Sequence, residues 1–153
     1  MTGDPMKRLW LALALCASLL VPASAQVPAN QGVTTVPGIP ITASSGNVAA
    51  ATATATLAAS GAKRITYICG FAATSGGATA AAVVNLTITN LVTGTATYTY
   101  GAVTGVGVPS PSLVVPFSPC LPANSANTTI VVSMPSLGSG NTNATVSAWG
   151  YQR

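Results

Sequence analysis

The sequence has almost no acidic residues and no histidine. Asp4 is its single carboxylate side chain, so residues 26–153 contain none. A serine or threonine nucleophile usually gives its proton to a histidine or carboxylate, and zinc and calcium sites depend on the same side chains or on thiolates. We therefore expect a protein that is not an enzyme and that needs neither a metal nor a cofactor.

Basic residues are scarce as well. Lys7 and Arg8 lie near the N-terminus, and the rest of the chain carries Lys63, Arg64 and Arg153. Adjacent residues of a strand point to opposite faces, so the sequence suggests three scattered charges. Nucleic-acid binding normally needs several phosphate contacts, so we expect no nucleic-acid partner.

The N-terminus has the pattern of a secretory signal peptide. Two basic residues precede an apolar run at residues 9–21, and residues 23–25 read Ala-Ser-Ala, a small-x-small cleavage site. The run is shorter than the ~20 residues of a membrane-spanning helix. We predict a signal peptide at 1–25, no membrane span, and a secreted protein in the periplasm or outside the cell. The sequence leaves open whether translation starts at Met1 or Met6.

Cysteine is rare outside this leader. Cys16 follows Leu15, which is too bulky for a lipid-attachment site, so Cys69 and Cys120 are the pair that remains. Exported proteins meet oxidising conditions, in which such a pair normally forms a disulfide, although two buried free thiols are the alternative. A bridge that closes a loop of about 50 residues is expected to stabilise the fold by roughly 4 kcal/mol.

Helical periodicity with capping signals is missing outside the leader, and period-two alternation replaces it. Residues 26–47 contain several prolines and glycines, which predicts an extended arm. From 48 to 153 the chain alternates in about seven short runs separated by Gly, Pro and Asn. This pattern predicts an all-β fold with a single antiparallel β-sandwich, of jelly-roll or immunoglobulin-like type.

Two of these runs give specific predictions. The richest apolar face is expected in the second strand, where alternate residues are apolar: Ile65, Tyr67, Cys69, Phe71 and Ala73. In a later run, Pro116 cannot donate a hydrogen bond to a neighbouring strand. Its strand should therefore lie at a sheet edge or carry a bulge.

Ser60 and Lys63 match the S-x-x-K pattern of serine acyl-enzymes. That chemistry needs the serine at the start of a helix together with further Ser and Lys motifs. The stretch lies between two predicted strands, so we interpret it as a hairpin turn and predict no catalytic residue.

The last strand carries the most notable aromatic residues. Trp149 and Tyr151 alternate with small residues and share a face with Thr145 and Ser147. An exposed Trp and Tyr pair can stack on sugar rings or anchor a protein interface. The alternative is that this face is buried against the rest of the domain.

Residues 65–153 also contain a set of characteristic segments: I-T-Y-I-C-G-F, G-T-A-T-Y-T-Y, V-V-P-F-S-P-C-L-P and G-S-G-N-T-N-A-T-V-S-A-W-G-Y. In these segments the chain resembles small bacterial and phage-associated β-sandwich proteins. The resemblance implies a structural or decoration-like role and assigns no site residue. A signal peptide departs from what a virion protein normally has.

Two functional hypotheses follow from the sequence. The first is a secreted, non-enzymatic structural component of a surface or appendage, which self-associates because its neutral Thr, Ser and Asn side chains create little repulsion between copies. The alternative is a lectin-like carbohydrate-binding module that uses Trp149 and Tyr151.

Overall fold

The computed structural model describes residues 38–59 and 61–153, which form eight strands. The predicted signal peptide, residues 26–37 of the predicted arm, and Ser60 of the S-x-x-K pattern lie outside this part of the chain. No helix in the described residues is long and apolar enough to cross a membrane. The strands are β1 (Ile39–Ser44), β2 (Ala53–Leu57), β3 (Thr66–Ser75), β4 (Ala82–Leu91), β5 (Gly94–Ala102), β6 (Leu113–Pro122), β7 (Ile130–Met134) and β8 (Ala144–Gln152).

The strands form two four-stranded antiparallel sheets that pack face to face. Sheet I has the order β1-β8-β3-β6 and sheet II the order β2-β7-β4-β5. Each strand of the first half thus pairs with its counterpart in the second half: β1 with β8, β2 with β7, β3 with β6 and β4 with β5. This is a long two-stranded ribbon rolled into a sandwich, which defines a jelly roll. The predicted all-β sandwich is confirmed, and the pairing selects the jelly-roll form.

The sandwich begins earlier than residue 48 and has one strand more than predicted. β1 lies within the segment interpreted as an extended arm, and it pairs with β8 from Ile39 opposite Gln152 to Ser44 opposite Ser147. A proline is tolerated at a sheet edge because one side of an edge strand needs no ladder hydrogen bonds. Pro40 therefore fits β1, although its presence argued against a strand there.

Both sheets contribute alternate side chains to one core. Ala53, Ala55 and Leu57 of β2 are fully buried, as the alternation predicts. Their larger partners in the core include Ile68, Phe71, Leu86, Ile88, Ile130, Val132, Met134 and Val146. The interior is therefore almost entirely apolar. The polar and aromatic side chains that can contact a partner lie on the outer faces, the edges and the loops.

β3 changes face at Cys69. Ile68 pairs with Gly150 of β8, and Gly70 pairs with the preceding residue, Trp149, so β3 contains one residue more than its partner. Such a bulge shifts the alternation by one position. The prediction of a single core face along this strand is therefore wrong. Tyr67 and Cys69 lie on the outer face of sheet I, while Phe71 is buried.

The predicted disulfide between Cys69 and Cys120 is confirmed, and it lies at this bulge. The bridge has an S–S distance of 2.03 Å and joins residues 51 apart in sequence. β3 and β6 are out of register at this point. Between the pairs Gly70–Pro116 and Ile68–Leu121, β3 has one residue, Cys69, whereas β6 has four, residues 117–120. Pro116 therefore lies on an edge strand next to a register shift, which confirms the prediction made from this proline.

Candidate functional site

Trp149 and Tyr151 lie on the outer face of sheet I. Val146 and Ala148, which precede them at alternate positions of β8, are buried in the core. Trp149 and Tyr151 are half-buried, so each ring is covered in part by neighbouring residues. We name the outward side chains of Tyr67, Trp149 and Tyr151 the aromatic strip.

Tyr67 is the member of this strip that the sequence did not predict. It pairs directly with Tyr151 across β3 and β8. The two rings stack with their centroids 4.7 Å apart and their planes within 5° of parallel. A glycine inside a strand pattern often marks a bulge, so Gly70 was the available signal that Tyr67 faces outward.

Trp149 lies over Gly70, its partner in β3. A Cβ atom added to Gly70 would lie 2.7 Å from the indole Cε2 of Trp149, closer than a real contact allows. The indole therefore occupies the space that a side chain at position 70 would fill. One side of the ring packs against the β3 backbone, and this packing fixes Trp149 on the surface of the sheet.

A groove runs beside the strip, between β1 and β8. It has a volume of about 320 Å³ and is lined by Pro40, Thr42, Trp149 and Tyr151 among others. Pro40 pairs with Tyr151 and Thr42 pairs with Trp149, so two rows of the sheet supply these four side chains. The volume falls at the lower end of the range for small-molecule sites, roughly 300–1,000 Å³.

The three basic residues in the described part of the chain lie together at one end of the sandwich. The amide of Ile65 donates to the Arg153 carbonyl at 2.6 Å, and the Arg153 amide donates to the Ile65 carbonyl at 3.0 Å. This pairing places Arg153 beside the segment that contains Lys63 and Arg64, and all three residues are exposed. The sequence interpretation of scattered charges is therefore wrong. We name these residues the cationic end.

The opposite end consists of four uncharged loops connected by hydrogen bonds. Asn141 is 2 % exposed there, and its side-chain amide donates to the carbonyl of Gly76 at 2.7 Å. A second cavity, of about 270 Å³, lies between residues 78–82 and 137–139. Alanines and other small side chains line most of it. It offers no charged group, and the part of the chain that the structure describes has no cluster of metal-ligating side chains.

The jelly-roll fold does not by itself assign an activity. The same architecture occurs in capsid proteins, lectins and cupins, so the function of this chain depends on the residues at its surface. The similarity to bacterial and phage-associated β-sandwich proteins stays a prediction from the sequence. No family model, curated protein or solved structure matches this chain.

Proposed function

We propose that this chain is a secreted, non-enzymatic structural component of a cell surface or appendage and that it self-associates. The observation that carries the proposal is the outer edge of β5, on which no other strand of the described residues pairs. This strand forms the edge of sheet II, is nine residues long, and contains neither a proline nor a charged residue. An open strand edge is a template on which another strand can add.

The other edge strands are protected against such pairing. β1 contains Pro40, and β6 contains Pro116, Pro119 and Pro122. β2 is only five residues long. Prolines and short length are both common devices that prevent edge-to-edge association. Among the described strands, β5 therefore combines length with an unprotected edge, and it is the edge that we propose for pairing between copies.

The outer face of sheet II supports close approach of two copies. Thr54, Ser133, Thr87 and Thr97 form one row across all four strands. No charged residue of the sequence falls on these strands. Two such faces or edges would meet without electrostatic repulsion, and their hydroxyl groups can exchange hydrogen bonds with a neighbour.

Secretion is part of the proposal and has two supports. The first 25 residues have the pattern of a signal peptide. The disulfide between Cys69 and Cys120 fits an oxidising compartment, where such bridges form and persist. An epitope-tagged chain expressed in a bacterium should be recovered from the periplasm or medium with both cysteines blocked to thiol reagents, and recovery from the cytoplasm alone would contradict secretion.

Sedimentation velocity over a wide concentration range tests the self-association. We expect species larger than a monomer to increase with concentration, and we expect Thr97→Lys on β5 to abolish them. Thr87→Lys is the matched control, because it adds the same charge to the same row but on an inner strand. A monomer at every concentration, or equal loss in both variants, would contradict pairing through β5.

Carbohydrate binding is a second candidate function. The observation that favours it is the placement of Trp149 over Gly70, beside a groove of about 320 Å³. A fixed, half-exposed indole offers a flat apolar surface for a sugar ring. Glycan-array binding that is lost in Trp149→Ala and kept in Thr145→Ala, on the same strand, would support this function, provided that both variants stay folded.

A further inference from the structure

The aromatic strip and the cationic end are adjacent. We propose that together they bind an acidic polysaccharide, with a sugar ring packed on Trp149 and the carboxylates of its uronic acids paired with Lys63 and Arg153. This inference rests on the carbohydrate-binding function proposed above. It goes further because it names the chemical class of the glycan and adds charged residues to the site.

The spacing along β8 places the two features within reach of one ligand. Trp149, Tyr151 and Arg153 are alternate residues, and alternate residues of a strand are roughly 6.5–7 Å apart. The ladder continues past the end of β8, because Arg153 pairs with Ile65 through two backbone hydrogen bonds. Arg153 therefore lies beyond the stacked pair of Tyr67 and Tyr151 by about the length of one sugar ring.

The segment that leads into β3 brings Lys63 to the same place. Lys63 lies two residues before Ile65, the partner of Arg153, and Tyr67 lies two residues after it. The Debye length at physiological salt is about 8 Å, so these charges act on a ligand beside the strip and weakly on one farther away. Residues 26–153 contain no acidic side chain. Lys63 and Arg153 are both exposed at this end and therefore attract an anion.

The chemistry of the surface favours a sugar over other polyanions. Thr42, Ser44 and Ser147 lie on the same outer face as the strip and provide hydroxyl groups. Lys63 and Arg153 are too few cations for the dense phosphates of a nucleic acid. A glycan with one carboxylate per ring needs less charge, because stacking on an aromatic ring supplies part of its affinity.

Titration calorimetry with polygalacturonate and with its methyl ester tests the inference. The two polymers share a backbone, and esterification removes the charge. We expect polygalacturonate to bind about tenfold more tightly at low salt, since each exposed ion pair contributes only modestly. The difference between the two polymers should shrink as salt rises, because salt screens exposed charges. Alginate serves as a second acidic probe.

Variants separate the contribution of the basic side chains to the affinity from the contribution of Trp149. Arg153→Gln and Lys63→Gln should reduce the affinity for polygalacturonate towards that for the ester and leave the affinity for the ester unchanged. Trp149→Ala should weaken the binding of both polymers. Thr145→Ala is the control on the same strand, and circular dichroism melts show whether each variant keeps the wild-type fold.

The outcomes distinguish this inference from the function on which it rests. Equal binding of both polymers, with dependence on Trp149, would overturn the acidic preference and leave carbohydrate binding intact. A glycan array without any ligand, together with no binding of polygalacturonate or alginate, would overturn both. Equally tight binding of a single-stranded oligonucleotide would also overturn the inference, because charge alone would then explain the affinity.

Discussion

The hydroxyl groups of Ser75 and Tyr100 lie 2.9 Å apart in the interior and form a hydrogen bond. Ser75 ends β3 in sheet I, and Tyr100 lies near the end of β5 in sheet II, so this bond joins the two sheets. The two residues are 9 % and 3 % exposed. A hydrogen-bonded pair in a largely apolar core fixes how the sheets are positioned relative to each other, because separating two buried hydroxyl groups leaves both unpaired at a cost in free energy.

Removing one partner of this bond should destabilise the fold. In Tyr100→Phe the Ser75 hydroxyl is left unpaired in the core, and we expect the free energy of unfolding to fall by about 1–3 kcal/mol. Urea denaturation of Tyr100→Phe, Ser75→Ala and the double variant measures the coupling. The loss of unfolding free energy in the double variant should be smaller than the sum of the losses in the two single variants. Strictly additive losses would argue against the hydrogen bond.

A side chain at position 70 should displace Trp149. In Gly70→Ala the new Cβ collides with the indole, and we expect a loss of about 1–3 kcal/mol together with a red shift of the Trp149 fluorescence. Once residues 1–25 are removed, Trp149 is the only tryptophan, so the signal is specific. Gly101→Ala is the matched control, because a Cβ there meets nothing within 4 Å. Equal effects in the two variants would contradict this packing.

Loss of the disulfide should cost a large part of the stability. In Cys69→Ala/Cys120→Ala we expect the free energy of unfolding to fall by roughly 4 kcal/mol, because the unfolded chain gains loop entropy. We also expect faster amide hydrogen exchange in residues 116–121, where the bridge spans the register shift with β3. Reducing agent should destabilise the wild type and leave this variant unaffected. An unchanged unfolding midpoint would show that the bridge constrains little.

Stability should depend weakly on pH across the acidic and neutral range. Acid unfolding of most proteins arises from carboxylates and histidines that titrate differently in the folded and unfolded states. Residues 26–153 contain no Asp, Glu or His side chain. We expect the urea midpoint of the disulfide-bonded protein to be nearly constant between about pH 4 and pH 8, the range in which those side chains titrate. A loss of several kcal/mol over this range would contradict the expectation.

Local patterns predicted which side chains share a face in β8 and were wrong for β3. The alternation of residues 144–151 places Trp149 and Tyr151 on one face, and it leaves open whether that face is exposed or buried. In the structure this face is the outer face of sheet I, where both side chains are half-buried. In β3 the pairing with β8 leaves Cys69 as an extra residue, and this shifts the alternation by one position for every residue beyond it. A bulge depends on how a strand pairs with its neighbours, so the sequence contains a single signal for the bulge in β3, which is Gly70.

Pairing between residues that are distant in the sequence explains the other differences between the predicted and the observed structure. The sequence of β1 predicts part of an arm because Pro40 is unfavourable in a central strand, and its partner β8 is distant in the sequence. The same distance separates Ile65 from Arg153, whose pairing gathers the basic residues at one end. The choice between jelly roll and immunoglobulin-like sandwich also depends on which strands pair, and alternation within a strand carries no information about its partner.

The pairing of β1 with β8 has a consequence for how the chain acquires its structure. The first strand of the sandwich needs the last one, so sheet I cannot be completed before residue 152 is available. Contacts between residues so far apart slow folding, because loop entropy is lost before the pairing compensates for it. On a chain that is synthesised from its N-terminus, β1 therefore has no partner among the described strands until β8 has been made, and its backbone groups stay open to other strands during that time.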